Sequence, residues 1–216
     1  YPRVPILKAI EIHTGHQLSG KTEDEIREIA RGLGIEVNAT MGVGKLVDEI
    51  FGEKCEHLYV QPTYITDYPI EMSPLCKKHR DDDRLTERFE LYINGKEVAN
   101  AYSELNDPID QRERFEEQMR LSEKGDDEAM FIDQDFLRAL EYGMPPTSGL
   151  GIGIDRLTMM LTNQESIQEV LFFPQMRPEK IESAPKPADF EKIGVPQVWI
   201  EHVINAGFAT VAALRD

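Results

Sequence analysis

The sequence predicts an α+β fold, with an antiparallel sheet flanked by helices over residues 1–180 and a small all-α module over residues 187–216. Three observations lead there. Residues 87–104 alternate as a β-hairpin about Asn94-Gly95; helical patterns stand on both sides of that hairpin; and the Pro-rich stretch Pro174 to Pro187 separates a terminal apolar segment of helical spacing.

Taken in order, Thr22-Glu23-Asp24-Glu25 reads as a capping box, and Ile26, Ile29, Ala30 and Leu33 follow the spacing of one helical face. A second helix is expected over 44–51. Residues 58–65 look extended, with Pro62 suited to an edge or bulge. Met41 to Leu46 has the flavour of a phosphate loop, but the glycine spacing is incomplete and Leu46 stands where a Ser or Thr should bind magnesium. In the hairpin, Phe89, Leu91 and Ile93 alternate with Arg88, Glu90 and Tyr92, and a second strand runs from Lys96 to about Glu104. Helices follow over 110–122 and 127–142. The second has an apolar side made by Ala129, Ile132, Phe136, Leu137 and Leu140, with Gly143 as its cap. A glycine-spaced strand at 149–154 then runs into a helix from Asp155.

Composition bounds the function. The 216 residues, 40% hydrophobic, suffice for one packed core and a small appended module. A net charge of −16 argues against a broad phosphate-binding face, while leaving room for a locally basic groove. No run approaches the roughly 18 apolar residues of a membrane span, so a soluble cytoplasmic protein with no membrane partner is expected. The chain opens on Tyr1 rather than Met and reads as a fragment. Cys55 and Cys76 are too few for a disulfide framework. Cys55-x-His57 and Cys76-x-x-His79 have zinc-ligand types, but the first spacing is too tight, and a half-buried thiol with two surface histidines is the preferred reading.

Chemistry concentrates in the hairpin. A two-residue turn at Asn94-Gly95 sets residue 92 opposite 97 and 90 opposite 99, so Glu90 and Glu97 become diagonal neighbours on one face, roughly 7–8 Å apart. Two carboxylates at that range can bridge a hard divalent ion such as magnesium; equally, they can line a solvated sheet face. Asn100, Tyr102 and Glu104 share a face by period two and offer an amide, an aromatic wall and a carboxylate suited to an ammonium group. A regular hairpin would place this trio on the side opposite Glu97, so a bulge is expected between residues 97 and 100.

The run from Gly149 to Arg156 alternates glycine with large apolar residues. One strand face is then bare backbone on which a flat group such as adenine can lie, while Leu150, Ile152 and Ile154 are expected to enter the core. Arg156 at the strand-to-helix junction suits a phosphate. Tight helix-on-strand packing, with Arg156 paired to a structural carboxylate, explains the same pattern.

Arg88-Phe89-Glu90, the run Glu97 to Asp107 and the run Gly149 to Arg156 together resemble bacterial-type class II lysyl-tRNA synthetases, as do Pro69 to Leu75 and Phe173 to Pro178. The resemblance covers most of residues 1–180, and its glycine strand is similar to motif 3 of class II synthetases. It implies a six- or seven-stranded antiparallel sheet, here partial, in an enzyme that is normally a homodimer. It further implies magnesium on Glu90 and Glu97 beside the ATP phosphates, and lysine against Asn100, Tyr102 and Glu104. Adenosine would lie on Gly151 and Gly153, the γ-phosphate on Arg156 as the catalytic residue, and Asp155 would orient Arg156 or its surroundings. Lysine would be activated by ATP to lysyl-adenylate and passed to tRNA(Lys). The anticodon-binding barrel, the dimer-forming motif 1 and the motif 2 arginine would lie outside this chain, so alone it is expected to be nearly inactive. Alternative readings are a paralogue that attaches lysine to a protein and a non-catalytic domain that binds a nucleotide or partner.

At the end of the chain, Trp199, Ile200, Val203 and Ile204 have helical spacing, and two short helices joined at Gly207 resemble helix-hairpin-helix modules. With few basic residues there, protein contact or packing is favoured over nucleic-acid binding.

Overall fold

A computed structural model of the chain describes residues 1–123, 132–173, 190–191 and 194–205. The chain divides into two compact units, Tyr1–Val170 and Leu171–Asp216. In the first, β1 (Arg3–Pro5) is followed by α1 (Ile6–Thr14), α2 (Glu23–Gly32) and α3 (Val43–Lys54), then by β2 (Thr63–Thr66), β3 (Arg88–Ile93) and β4 (Lys96–Ser103). After these come α4 (Pro108–Glu123), α5 (Gln134–Glu141), β5 (Ser148–Ile152) and α6 (Ile154–Leu161). The strands lie side by side in chain order, β1 to β5. β1 and β2 are parallel, as a connection through three helices allows, and every later pair is antiparallel. The described residues thus hold five strands with one parallel pair, against the six or seven antiparallel strands implied for a whole domain.

Helices α1 to α3 pack on one face of β1 to β3. Ile6, Ala9 and Ile10 of α1, Ile26 and Ala30 of α2, and Leu46, Val47, Ile50 and Phe51 of α3 are buried together with Ile65, Tyr68 and Tyr92. Each fully buried aliphatic side chain of this kind contributes about 1.5–3 kcal/mol. The capping box forms as expected: the Glu25 N–H donates to the Thr22 hydroxyl at 3.4 Å, and the Thr22 N–H donates to the Glu25 carboxylate at 2.8 Å.

Four expectations shift. The stretch 58–65 is extended only from Thr63, after a 3₁₀ turn at Glu56–Leu58, because Pro62 cannot donate to a ladder. The helix expected from residue 127 is, among described residues, α5 alone. Asp133 caps it by accepting from the Phe136 N–H at 2.9 Å, and residues 127–131, Ala129 included, lie outside the described residues. Third, Leu150, Ile152 and Ile154 do not enter the core: they are 61%, 47% and 65% exposed, the first two because β5 is the last strand of the described sheet, whereas Ile154 already opens α6. Both cysteines are fully buried rather than half-buried, and burial raises each thiol to about 11.

The hairpin forms with Asn94 and Gly95 both at positive φ, 54° and 67°, the turn that Asn-Gly favours. Its tip is docked on the chain just past α3: the Asn94 N–H donates to the Val60 carbonyl at 2.9 Å and the Gly95 N–H to the Tyr59 carbonyl at 3.0 Å. The expected bulge is present. Tyr92 pairs with Glu97 but Leu91 pairs with Ala99, so Val98 is the extra residue, and Glu90 comes to lie opposite Asn100 rather than Ala99.

In the second unit α7 (Gln197–Asn205) is described, with Phe190 and Ile200 buried. Gly207 and the helix expected after it lie outside the described residues. No described helix is long and apolar enough to cross a membrane.

Candidate functional site

The bulge decides which side chains meet. Arg88, Glu90 and Tyr92 of β3 pair with Tyr102, Asn100 and Glu97 of β4, and Asn100 and Tyr102 pair in turn with Gly151 and Gly149 of β5. Directly paired residues share a face, so the sequence-predicted carboxylates, the amide, the aromatic ring and the bare glycine backbone all stand on one side of the sheet. A larger concavity of about 730 Å³ is lined mainly by residues of the other side, Tyr64, Phe89, Ala101 and Leu150 among them, but Arg88, Tyr102 and Gly149 also border it, while Glu90, Glu97, Asn100, Glu104 and Arg156 do not.

Glu90 is buried and has donors on both carboxylate oxygens. Its Oε2 accepts from the Tyr68 hydroxyl at 2.7 Å and the Tyr92 hydroxyl at 2.8 Å, while Arg88 donates to its Oε1. Burial, then the charge on Glu90, pushes both phenols far above their usual range, so they remain donors. Arg88 also donates to the Met72 carbonyl at 3.1 Å and the Ser73 hydroxyl at 2.9 Å, and its guanidinium sits 4.4 Å from the centre of the Tyr68 ring. Residue-by-residue reasoning missed Tyr68 and the role of Arg88. Arg88 was within reach, because it shares the period-two face of Glu90. Tyr68 was not, because a loop delivers it.

The bulge also frees two carbonyls for the start of α6. The Gly153 N–H donates to the Val98 carbonyl at 2.9 Å, and Arg156 donates to the Glu97 carbonyl at 2.7 Å while lying 3.6 Å from the Glu97 carboxylate. Arg156 is thus held by Glu97, and no hydrogen bond or ion pair joins it to Asp155 among the described residues. Glu97, Gly151, Gly153, Asp155 and Arg156 line a single groove of about 350 Å³. A Cβ on Gly151 would meet only the Asn100 carbonyl, at 3.8 Å, so its strand face is open.

Glu97 is titrated upward by its surroundings: burial raises its carboxyl most, the charge of Glu90 adds to that, and Arg156 opposes both. Glu56, in the 3₁₀ turn, is raised by burial and by the charges of Glu90 and Glu97, with Arg156 again opposing. It is a third carboxylate at this end of the face that the sequence pattern did not flag. Carboxylates held together against their own repulsion are the hard oxygen donors that suit magnesium. Among the described residues no three acidic, His or Cys side chains form a ready metal cage. One or two carboxylates completed by phosphate oxygens, a usual arrangement for magnesium bound with a nucleotide, fit what is present. The Cys-His pairs likewise form no cluster.

At the other end, Arg88 donates its Nε–H to Asn100 Oδ1 at 3.2 Å, leaving the amide NH₂ without a partner among the described residues. Glu104 follows β4, its carboxyl raised by burial, and its carboxylate accepts no hydrogen bond from any described residue. The face thus ends in an uncommitted donor and an uncommitted anionic acceptor, divided by the Tyr102 ring. This pair complements a ligand that carries a carboxylate and an ammonium group.

The chain is similar to known proteins over its whole length. The lysine–tRNA ligase of Porphyromonas gingivalis is 65% identical over 216 residues, which is 100% of this chain and 37% of that protein. Those of Christiangramia forsetii and Azobacteroides pseudotrichonymphae are 72% and 67% identical over 180 and 182 residues, covering 83% and 84% of this chain and 32% and 36% of theirs. The chain therefore spans about a third of the length of these curated relatives. The family model of the tRNA synthetases class II (D, K and N) matches residues 1–177, the stretch that holds the whole face just described, and the chain belongs to that family.

Proposed function

We propose that this chain forms the part of a lysine–tRNA ligase catalytic domain that holds lysine and the phosphates and adenine of ATP. The observation that carries the reading is the unpartnered carboxylate of Glu104 on the same face as the bare glycine strand and Arg156. Family membership leaves aspartate, lysine and asparagine as substrates, and of these only lysine brings a side-chain cation to a lone buried-edge carboxylate. Relatives named lysine–tRNA ligase support the same choice.

In this reading Glu104 accepts from the lysine ammonium, Tyr102 walls the aliphatic stem and Asn100 donates to the substrate carboxylate. Gly151 and Gly153 give the adenine a floor free of side chains, and Arg156, steadied by Glu97, donates to the γ-phosphate. A lysine carboxylate oxygen then bonds to the α-phosphorus as the bond to the pyrophosphate oxygen breaks, and the lysyl group of the resulting adenylate passes to the 3′ end of tRNA(Lys). Glu90 and Glu97 would hold magnesium bound with ATP, which would neutralise phosphate charge. What the chain contributes is positioning and fixed electrostatics. Residues 1–180 act as the catalytic portion and 187–216 as a small helical appendage, in a cytoplasmic protein that works as a homodimer with the rest of the enzyme.

Calorimetric titration of the chain with lysine, aspartate and asparagine tests the reading. Lysine alone should bind, and Glu104→Gln should weaken it by about tenfold or more, the worth of a charge-assisted hydrogen bond. Binding of aspartate or asparagine in preference to lysine would overturn it.

A further inference from the structure

We propose that Gly149 is a positioning residue for the amine-binding carboxylate: it is glycine so that the Glu104 side chain can lie directly on the strand backbone. The inference rests on the reading of Glu104 as the ammonium acceptor and adds a residue to it. Glu104 is pinned through its backbone, its N–H donating to the Thr147 carbonyl at 3.0 Å on one side, with a bridge to Cys76 on the other. Its side chain reaches across the Tyr102–Gly149 pair, and a Cβ built on Gly149 would overlap Glu104 Oε1 and stand 3.4 Å from Cδ.

Among the described residues, no atom other than those of Glu104 lies within 4 Å of a Cβ added at this position, although Gly149 also borders the larger concavity. Gly149 is absent from the residues with positive φ, so its backbone is open to any residue, and the added Cβ would meet no backbone atom within 4 Å. In a strand, glycine is a weakening choice, because it lacks a side chain to pack and loses more freedom on folding. The atom in the way is the end of a flexible side chain, which can swing aside without disturbing the sheet. Gly149→Ala is therefore a substitution the fold tolerates and the pocket does not: the carboxylate must leave its seat, and with it goes the fixed acceptor for a primary ammonium group. Gly151 differs, since its missing side chain clears space for a ligand and crowds no protein carboxylate.

Thermal denaturation and lysine calorimetry on the chain and on Gly149→Ala, Glu104→Gln, Glu104→Asp and the double variant Gly149→Ala/Glu104→Asp separate the possibilities. The expected result is a melting temperature of Gly149→Ala equal to or above that of the parent, with lysine affinity lower by about tenfold. Glu104→Asp should cost less in the Gly149→Ala background than in the parent, because the shorter stem withdraws the carboxylate from the new methyl group. A sharp fall in melting temperature would make Gly149 a structural requirement and overturn the proposal. So would unchanged lysine affinity in Gly149→Ala alongside a loss in Glu104→Gln, which would leave the reading of Glu104 intact. Unchanged affinity in Glu104→Gln would overturn that reading and this inference together.

Discussion

Arg88 and Asn100 are joined diagonally across β3 and β4, the arginine Nε–H donating to Asn100 Oδ1 at 3.2 Å. Because a guanidinium only donates, the contact settles which way the amide faces and leaves its NH₂ to a ligand oxygen. Arg88→Lys keeps a charge near Glu90 but loses the planar fork, and it should weaken lysine binding by about tenfold. Asn100→Asp should weaken it further by setting a carboxylate against the substrate's own. Calorimetry reads both effects, and wild-type affinity in Arg88→Lys would contradict the role given to this contact.

The donors around Glu90 should be felt as stability. Tyr68→Phe and Tyr92→Phe each remove a hydroxyl donor from a buried carboxylate and should cost about 1–3 kcal/mol in urea unfolding. Arg88→Ala leaves the charge with no cationic partner and should cost about 3–5 kcal/mol. The two tyrosine losses should not simply add, since both hydroxyls serve the same oxygen. Unfolding midpoints unchanged in all three variants would show that Glu90 is hydrated rather than held.

Acid should act with opposite signs on lysine binding at Glu104 and on what Glu97 and Glu104 contribute to stability, whereas Glu25, Asp82 and Glu87, held low by their partners, lose stabilisation in acid. Burial raises the Glu104 carboxyl, so on acidification it takes up its proton earlier than an exposed glutamate does near about 4.3. Once protonated it no longer pairs with an ammonium group, and lysine affinity should decline from that higher pH downward, with the decline flattened in Glu104→Gln. For folding, a carboxyl raised in the native state contributes most below its unfolded value and loses that contribution as pH rises through the folded value. Glu97 and Glu104 therefore favour the fold in acid and cost it stability at neutral pH. Replacing Glu97 by Gln should raise the melting temperature at pH 7 more than at pH 4, which a pH series of thermal melts would check.

Much of the site was legible because local chemistry dictated it. Asn94-Gly95 fixed the turn, and the wish to place Glu97 and Asn100 on one face called for the bulge that the structure has at Val98. The capping box at Thr22 was equally local. What escaped was set by distant partners. Arg3–Pro5 is too short to show a pattern and becomes a strand only by lying parallel to Thr63–Thr66. Tyr68 reaches Glu90 from a loop 22 positions away. Leu150, Ile152 and Ile154 carry a buried-strand pattern, yet the described sheet ends at β5, the strand of the first two, and Ile154 opens α6. Asp155 stands next to Arg156 in sequence, but the bulge brings Glu97 to it instead.

Titration of the chain with ATP, with and without magnesium and then with lysine, shows whether one sheet face holds Mg·ATP and lysine together. ATP binding that requires magnesium, tightens with lysine, and weakens by about tenfold or more in both Glu97→Ala and Arg156→Ala is the predicted result. ATP binding indifferent to magnesium and to both substitutions would contradict it.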